Sequence, residues 1–196
     1  MKIYHDLKQG SDEWLKIRLG KFGSTDAQAV ASNSRGLTTK VYEKVAELII
    51  GQPKEQYTNA DMERGNELEG MARSAYEIET SRIVKQVGYV EIDSYTGGSP
   101  DGLVGNDGGI EIKCPSDANF IRFDYTRKIN SGYIWQMLHL LLITERKWWD
   151  FVVFNEKLNK IIIIRIERNE DKIEKLRVGL ESGIDQIKKV LMECKK

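Results

Sequence analysis

The segment that most restricts the fold runs from Ser99 to Pro115. Ser99-Pro100-Asp101-Gly102-Leu103-Val104 leads into the glycine-rich Gly105-Asn106-Asp107-Gly108-Gly109, and Ile110-Glu111-Ile112-Lys113-Cys114 returns before Pro115. Two short apolar runs around such a turn predict a β-hairpin. In its returning strand successive side chains alternate faces, so Glu111 and Lys113 point one way and Ile110 and Ile112 the other. The isoleucines hold the strand on a core, and the charged pair is presented together.

Around the hairpin the pattern is mixed. Ser11-Asp12-Glu13 predicts a helix start, with Trp14, Ile17 and Arg18 inside and Gly20 as the stop. A second short helix follows Gly23, capped by Ser24 or Thr25. Helical spacing of Val41, Tyr42, Val45, Ala46, Leu48 and Ile49 predicts a helix from Lys40 to Ile50, ended by Gly51-Gln52-Pro53. A stronger helix spans Asp61 to Glu79. Arg82 to Ile92 alternates as one strand, which Gly97-Gly98-Ser99-Pro100 breaks. Tyr133 to Thr144 is a mostly apolar helix, Trp148 to Phe154 and Lys160 to Glu167 are strands, and Asn169 to Cys194 is a closing helix. This order predicts an α/β fold, a central mixed β-sheet flanked by helices, in one domain over residues 1–196.

The hairpin also carries the chemistry. It can bring Asp101 beside Glu111, and two adjacent carboxylates repel unless a hard cation such as Mg²⁺ takes their oxygens as ligands. The Ile112 carbonyl is a natural further ligand. Lys113 then sits where an ammonium can orient an attacking water and offset charge on a phosphate oxygen. A solvated surface strand with an ordinary Asp-Gly turn is the competing reading. On the 61–79 helix, steps of about 100° place Met62, Gly65, Leu68, Met71, Ala72, Ala75 and Tyr76 on one apolar arc with Glu69 inside it. A carboxylate there needs a partner: an ion pair with Arg64 or Arg73, or a role as a third acid near the metal. Gln136 and His139 share neighbouring surface of the apolar helix. His139 reads as a core histidine and Gln136 as the residue that contacts water or phosphate. Near the N-terminus, Arg18, Ser24, Thr25 and Arg35 have the makings of a phosphate pocket, and equally of caps and surface arginines.

Composition narrows the class without naming it. Thirty basic and thirty acidic side chains cancel, so any nucleic-acid surface must be a local patch. Two cysteines, Cys114 and Cys194, are too few for a disulfide framework or a four-thiolate cluster. Met1-Lys2-Ile3-Tyr4-His5-Asp6 lacks the apolar core of a signal peptide, and no apolar run approaches a membrane span. The expected compartment is the cytoplasm. With only His5 and His139, no histidine-based nucleophile system is apparent.

Four motifs in order resemble the lambda exonuclease (YqaJ) family of viral recombination nucleases, within the PD-(D/E)xK superfamily with its restriction-endonuclease-like core. They are Gln9-Gly10-Ser11-Asp12-Glu13-Trp14 with Arg18-Leu19-Gly20, Arg64 to Glu69, Ser99 to Leu103 with Glu111 to Pro115, and Tyr133-Ile134-Trp135-Gln136. The resemblance implies Mg²⁺, with Mn²⁺ as a substitute, on Asp101, Glu111 and the Ile112 carbonyl. It makes Lys113 catalytic and has Glu69 and Gln136 support the attacking water. Arg18, Ser24 or Thr25, and Ser99 match the family's 5′-phosphate pocket, and Arg35 matches a DNA-contacting arginine. It further implies 5′-to-3′ digestion of one strand of duplex DNA ends, a homotrimeric ring, a single-strand annealing partner and a phage or prophage origin in a bacterial host. Leu138 stands where the family often has a second glutamine, and Gly23 where lambda-like members often carry a hydroxyl. An endonuclease or repair nuclease of the same superfamily, or a non-catalytic DNA-end-binding module, are the alternatives.

Overall fold

The chain runs β1 (Lys2–Tyr4), α1 (Asp12–Ile17), a 3-10 turn (Ser24–Asp26), α2 (Ala27–Ser32), α3 (Arg35–Ile50), α4 (Ala60–Thr80), β2 (Val84–Lys85), β3 (Tyr89–Asp93), β4 (Thr96–Gly98), β5 (Gly102–Val104), β6 (Gly108–Lys113), α5 (Asp117–Thr126), α6 (Ser131–Thr144), β7 (Trp148–Asn155), β8 (Lys160–Glu167) and α7 (Glu170–Cys194). These elements come from a computed structural model that describes residues 1–54 and 60–194, the side chains of 60–62 excepted. Met62 of the predicted apolar arc therefore lies outside the described side chains.

The predicted hairpin forms the middle of a five-stranded mixed sheet ordered β2-β5-β6-β7-β8, in which only β6 and β7 are parallel. Period-two alternation decides what each face meets. Ile110 and Ile112, with Val104, Val152 and Phe154, pack on Leu68, Ala72 and Tyr76 of α4. Leu103, Phe151 and Val153 of the other face pack in a larger cluster with Met137, Leu138 and Leu141 of α6 and with Ile173 and Leu176 of α7. Full burial of each such side chain contributes roughly 1.5–3 kcal/mol. A buried polar link fixes α4 on its face. Tyr76 donates to Asp150 at 2.8 Å, and Arg165 grips the same carboxylate at 2.8 and 2.9 Å. Gly109 permits the close β6–β7 approach, since a Cβ there would meet the Trp149 ring at 2.3 Å.

Several sequence expectations change. Residues 82–92 are two strands: β2 edges the large sheet, while β3 lies between β1 and β4 in a separate three-stranded sheet. The chain crosses between sheets at Gly88, where a Cβ would lie 1.8 Å from the Leu7 carbonyl oxygen. Gly97-Gly98 does not break a strand but belongs to the buried β4. α3 starts at Arg35, five residues earlier than predicted, because Asn33 turns left-handed (φ 44°) and extended Ser34 restarts the helix. Met71 of the apolar arc is exposed, leaving Leu68, Ala72 and Tyr76 as the buried face of α4. The reading also lacked β1 and α5; α5 buries only Phe120, so its sequence shows little periodicity. No helix among the described residues is long and apolar enough to cross a membrane.

Candidate active site

Strand register builds the site. Gly102 faces Ile110, and continuing that antiparallel register one step sets Asp101 against Glu111 on the same face of the sheet. β5 stops there, so Asp101 replaces the missing strand: its Oδ2 accepts from the Ile112 amide at 2.6 Å. A strand residue's N–H and C=O point toward the same edge, so the Ile112 carbonyl faces Asp101 as well.

Glu111 is fully buried beneath α6. Its Oε1 accepts from Lys113 Nζ and from Gln136 Nε2, both at 2.6 Å. Its Oε2 is buried with no hydrogen-bond partner among the described residues. Burial, aided by Asp101, pushes Glu111 up to about 7 against the pull of Lys113. Burial likewise raises Asp101, opposed by Lys113 and by the Ile112 amide. For Lys113 desolvation acts downward, but Glu111 and Asp101 outweigh it and hold the ammonium above its ordinary range. The lysine is therefore the permanently charged member of the group.

Glu69 approaches from α4. Its partner is Arg73, one helical turn on, rather than Arg64, whose guanidinium donates to the Cys114 carbonyl at 3.0 Å. Burial and then Asp101 raise the Glu69 carboxyl, with Arg73 and Lys113 acting against them. Thus Glu69 is both an ion-pair partner and a neighbour of the Asp101 and Lys113 charges. His139 is a core residue: it is fully buried, with Nε2 3.0 Å from the Gly97 carbonyl.

The N-terminal residues divide. Arg18 lies over the Trp14 ring at 3.8 Å, and Trp14 Nε1 donates to Ser99 Oγ at 2.8 Å, two residues before Asp101. Gln9 ties this corner down by donating to the Pro100 carbonyl at 3.2 Å. Arg18 and Thr25 line one cavity of about 180 Å³ with Lys40 and Lys44. Ser24 is turned inward, its buried Oγ unpartnered among the described residues and packed against Gly98, where a Cβ would meet it at 2.6 Å. Arg35 opens α3, exposed, with no side-chain hydrogen bond to these groups among the described residues. Trp14 as the platform under Arg18 was missed, although its i,i+4 spacing could have shown it.

Among the described residues no three His, Cys, Asp or Glu side chains form a ready-made metal cluster. The donor set on offer is two carboxylates and a backbone carbonyl, hard oxygens that suit Mg²⁺ better than a thiophilic metal. The unpartnered Glu111 Oε2 fits such an ion, because a buried carboxylate oxygen without a donor is costly unless something positive meets it.

Fold and comparisons together define the class of protein as a DNA exonuclease. The chain belongs to the YqaJ-like viral recombinase family, whose model matches residues 13–147. It is 32% identical to an alkaline exonuclease (LHK-Exo) from Laribacter hongkongensis, with a TM-score of 0.86 over 94% of this chain and 96% of that one. LHK-Exo is also known in complex with dAMP, and aligns equally well in that form. A phage related exonuclease from Haemophilus somnus 129PT shares the fold, at 16% identity and a TM-score of 0.73 over 89% of this chain and 96% of that one. No curated protein sequence is significantly similar to the chain.

Proposed function

We propose that this exonuclease is Mg²⁺-dependent and degrades one strand of duplex DNA from its 5′ end, leaving a 3′ single-stranded tail for phage-type recombination. The observation that carries the reading is Glu111, buried, facing Asp101, with one oxygen held by Lys113 and Gln136 and the other without a donor among the described residues. Asp101, Glu111 and the Ile112 carbonyl would hold the cation, with Mn²⁺ as a substitute. When bound, it supplies Lewis acidity toward a phosphoryl oxygen and makes water more acidic.

The chain's own groups do the rest. Lys113 sets a fixed positive charge where negative charge grows on the phosphate oxygen. Glu69, steadied by Arg73, accepts a hydrogen bond from the attacking water and aims it. Gln136 holds Glu111 in one orientation and in this reading supports the same water. Arg18, stacked on Trp14 beside Ser99, grips a terminal 5′-phosphate with Thr25, and this sets the end from which digestion starts. Ser24, turned inward, supports the pocket wall in this reading, and Arg35 contacts DNA farther out. A homotrimeric ring, an annealing partner and residence in the cytoplasm of a bacterial host belong to the same proposal.

Linear and covalently closed duplex DNA, one strand labelled at its 5′ end, with Mg²⁺ or with EDTA, test it. Mg²⁺-dependent release of mononucleotides from 5′ ends of linear DNA alone is expected. Cutting of the closed circle would move the protein to the endonucleases, and binding without cleavage would leave an end-binding module.

A further inference from the structure

A cleft of about 270 Å³, lined by Lys113 and not by Arg18, opens between α5 and the start of α6. Its walls include Lys113, Arg122, Phe123, Lys128, Tyr133 and Phe151, and among the described residues no acidic side chain lines it. It continues past Arg122 and Lys128 into an open hollow that adds Trp135 and Lys172, again with no acid among the described residues. In a chain whose charges cancel, an all-cationic lining is a local exception. The Arg18 cavity, by contrast, mixes its cations with Asp26, Glu43 and Glu47.

Pairing sharpens the contrast. The neighbouring cations Arg127 and Lys160 are both spent on Asp124, and Lys157 is spent on Asp117. Arg122, Lys128 and Lys172, which line the groove, form no ion pair among the described residues. The groove also has an aromatic wall. Tyr133 stacks on Phe151 with centroids 5.6 Å apart, Phe123 meets Phe151 edge-on at 5.7 Å, and Lys113 Nζ lies 5.0 Å from the Tyr133 ring centre. Unpaired cations in a groove that also has an aromatic wall are the chemistry that binds single-stranded nucleic acid: cations follow the phosphates and rings meet the bases.

We infer that the α5–α6 groove binds the attacked DNA strand just beyond the bond being cut, as unpaired single strand. This rests on the proposed 5′-to-3′ polarity. With the terminal phosphate at Arg18 and the scissile phosphate at Asp101 and Glu111, the next nucleotides pass Lys113 and enter the groove. There Arg122 and Lys128 take their phosphates. The groove thus separates the attacked strand from its complement before hydrolysis.

The test is the double variant Arg122→Gln/Lys128→Gln, both positions exposed and outside the core. Binding to a 5′-phosphorylated linear duplex is measured in EDTA, so that nothing is cut, across a salt series. Losing two phosphate contacts should flatten the log–log salt dependence by about 1.4, at about 0.7 per single-strand phosphate. The wild-type advantage then shrinks about sevenfold between about 50 and 200 mM salt. In parallel, 5-iododeoxyuridine at the third nucleotide of the 5′ strand should photo-crosslink to residues 119–133 of the wild type. The same base in the complement should not. An unchanged salt slope, or a crosslink only from the complement, overturns the inference. Wild-type digestion of linear and closed DNA reports separately on polarity, so failure of that reading is distinguishable from failure of the groove.

Discussion

Glu111→Gln should stabilise the metal-free protein above neutral pH while abolishing its activity. The carboxyl is fully buried and pushed from its ordinary 4.5 up to about 7, chiefly by desolvation. The folded state therefore holds this proton more tightly than the unfolded chain. Between about pH 4.5 and 7, unfolding releases it, so stability falls as pH rises through that window and the loss is complete above it. At about 1.4 kcal/mol per pH unit, the ionised carboxylate costs the fold roughly 3 kcal/mol. Glutamine keeps the shape, and its oxygen still accepts from Lys113 and Gln136, but it carries no charge to desolvate. At about 2–4 °C per kcal/mol for a chain of this size, the variant should melt on the order of 5–10 °C above wild type at pH 8. Near pH 5 the gap should shrink to about a quarter of that. Mg²⁺ at about a hundredfold over its dissociation constant returns about 2.7 kcal/mol to the wild type alone, which closes most of the gap. Thermal denaturation at both pH values, with and without Mg²⁺, reads all three effects. A gap that is equal at pH 5 and pH 8, or a variant less stable than wild type at pH 8, refutes the reasoning.

Three further outcomes follow from the geometry. Lys113→Ala should abolish turnover while leaving DNA affinity in EDTA within a few-fold, and normal turnover would remove Lys113 from the chemistry. Arg18→Ala should cut the rate preference for 5′-phosphorylated over 5′-hydroxyl ends by about tenfold or more, the worth of one charge-assisted hydrogen bond; an unaltered ratio refutes its role. Gly98→Ala places a Cβ 2.6 Å from Ser24 Oγ and 3.0 Å from Ile143, and such overpacking costs about 1–3 kcal/mol. A melting temperature within a degree of wild type would show that the β4 wall can yield.

What the sequence made legible was what short-range periodicity encodes. The Ile110-Glu111-Ile112-Lys113 alternation fixed a strand and its faces, and the apolar runs at 148–154 and 160–167 gave the neighbouring pair β7 and β8. Residues 82–92 failed because alternation is blind to which sheet a strand joins. That choice is made by β1, whose Tyr4 lies opposite Tyr89, and no local signal spans that separation. Glu69 was flagged correctly as a carboxylate needing a partner, and only packing could select Arg73 while sending Arg64 to the Cys114 carbonyl. Ser24 looked like a helix cap because a hydroxyl before a helix usually is one. The tight fit against Gly98 turns it inward instead.

The net charge of zero misleads for a related reason. A sum over the sequence counts Arg127, Lys157 and Lys160 equally with Arg122 and Lys128, yet the first three are neutralised by Asp117 and Asp124 within the fold. What a DNA strand meets is the unpaired remainder, and its placement depends on tertiary contacts that bring α5, α6 and β7 together. A mutation such as Asp124→Asn would free Arg127 and Lys160 without touching the groove. It should raise nonspecific DNA affinity at low salt, by a factor that disappears as salt rises, while the crosslink from the 5′ strand stays on residues 119–133. If freeing those two cations instead moved the crosslink, the path of the strand would be set by charge number alone and not by the shape of the α5–α6 groove.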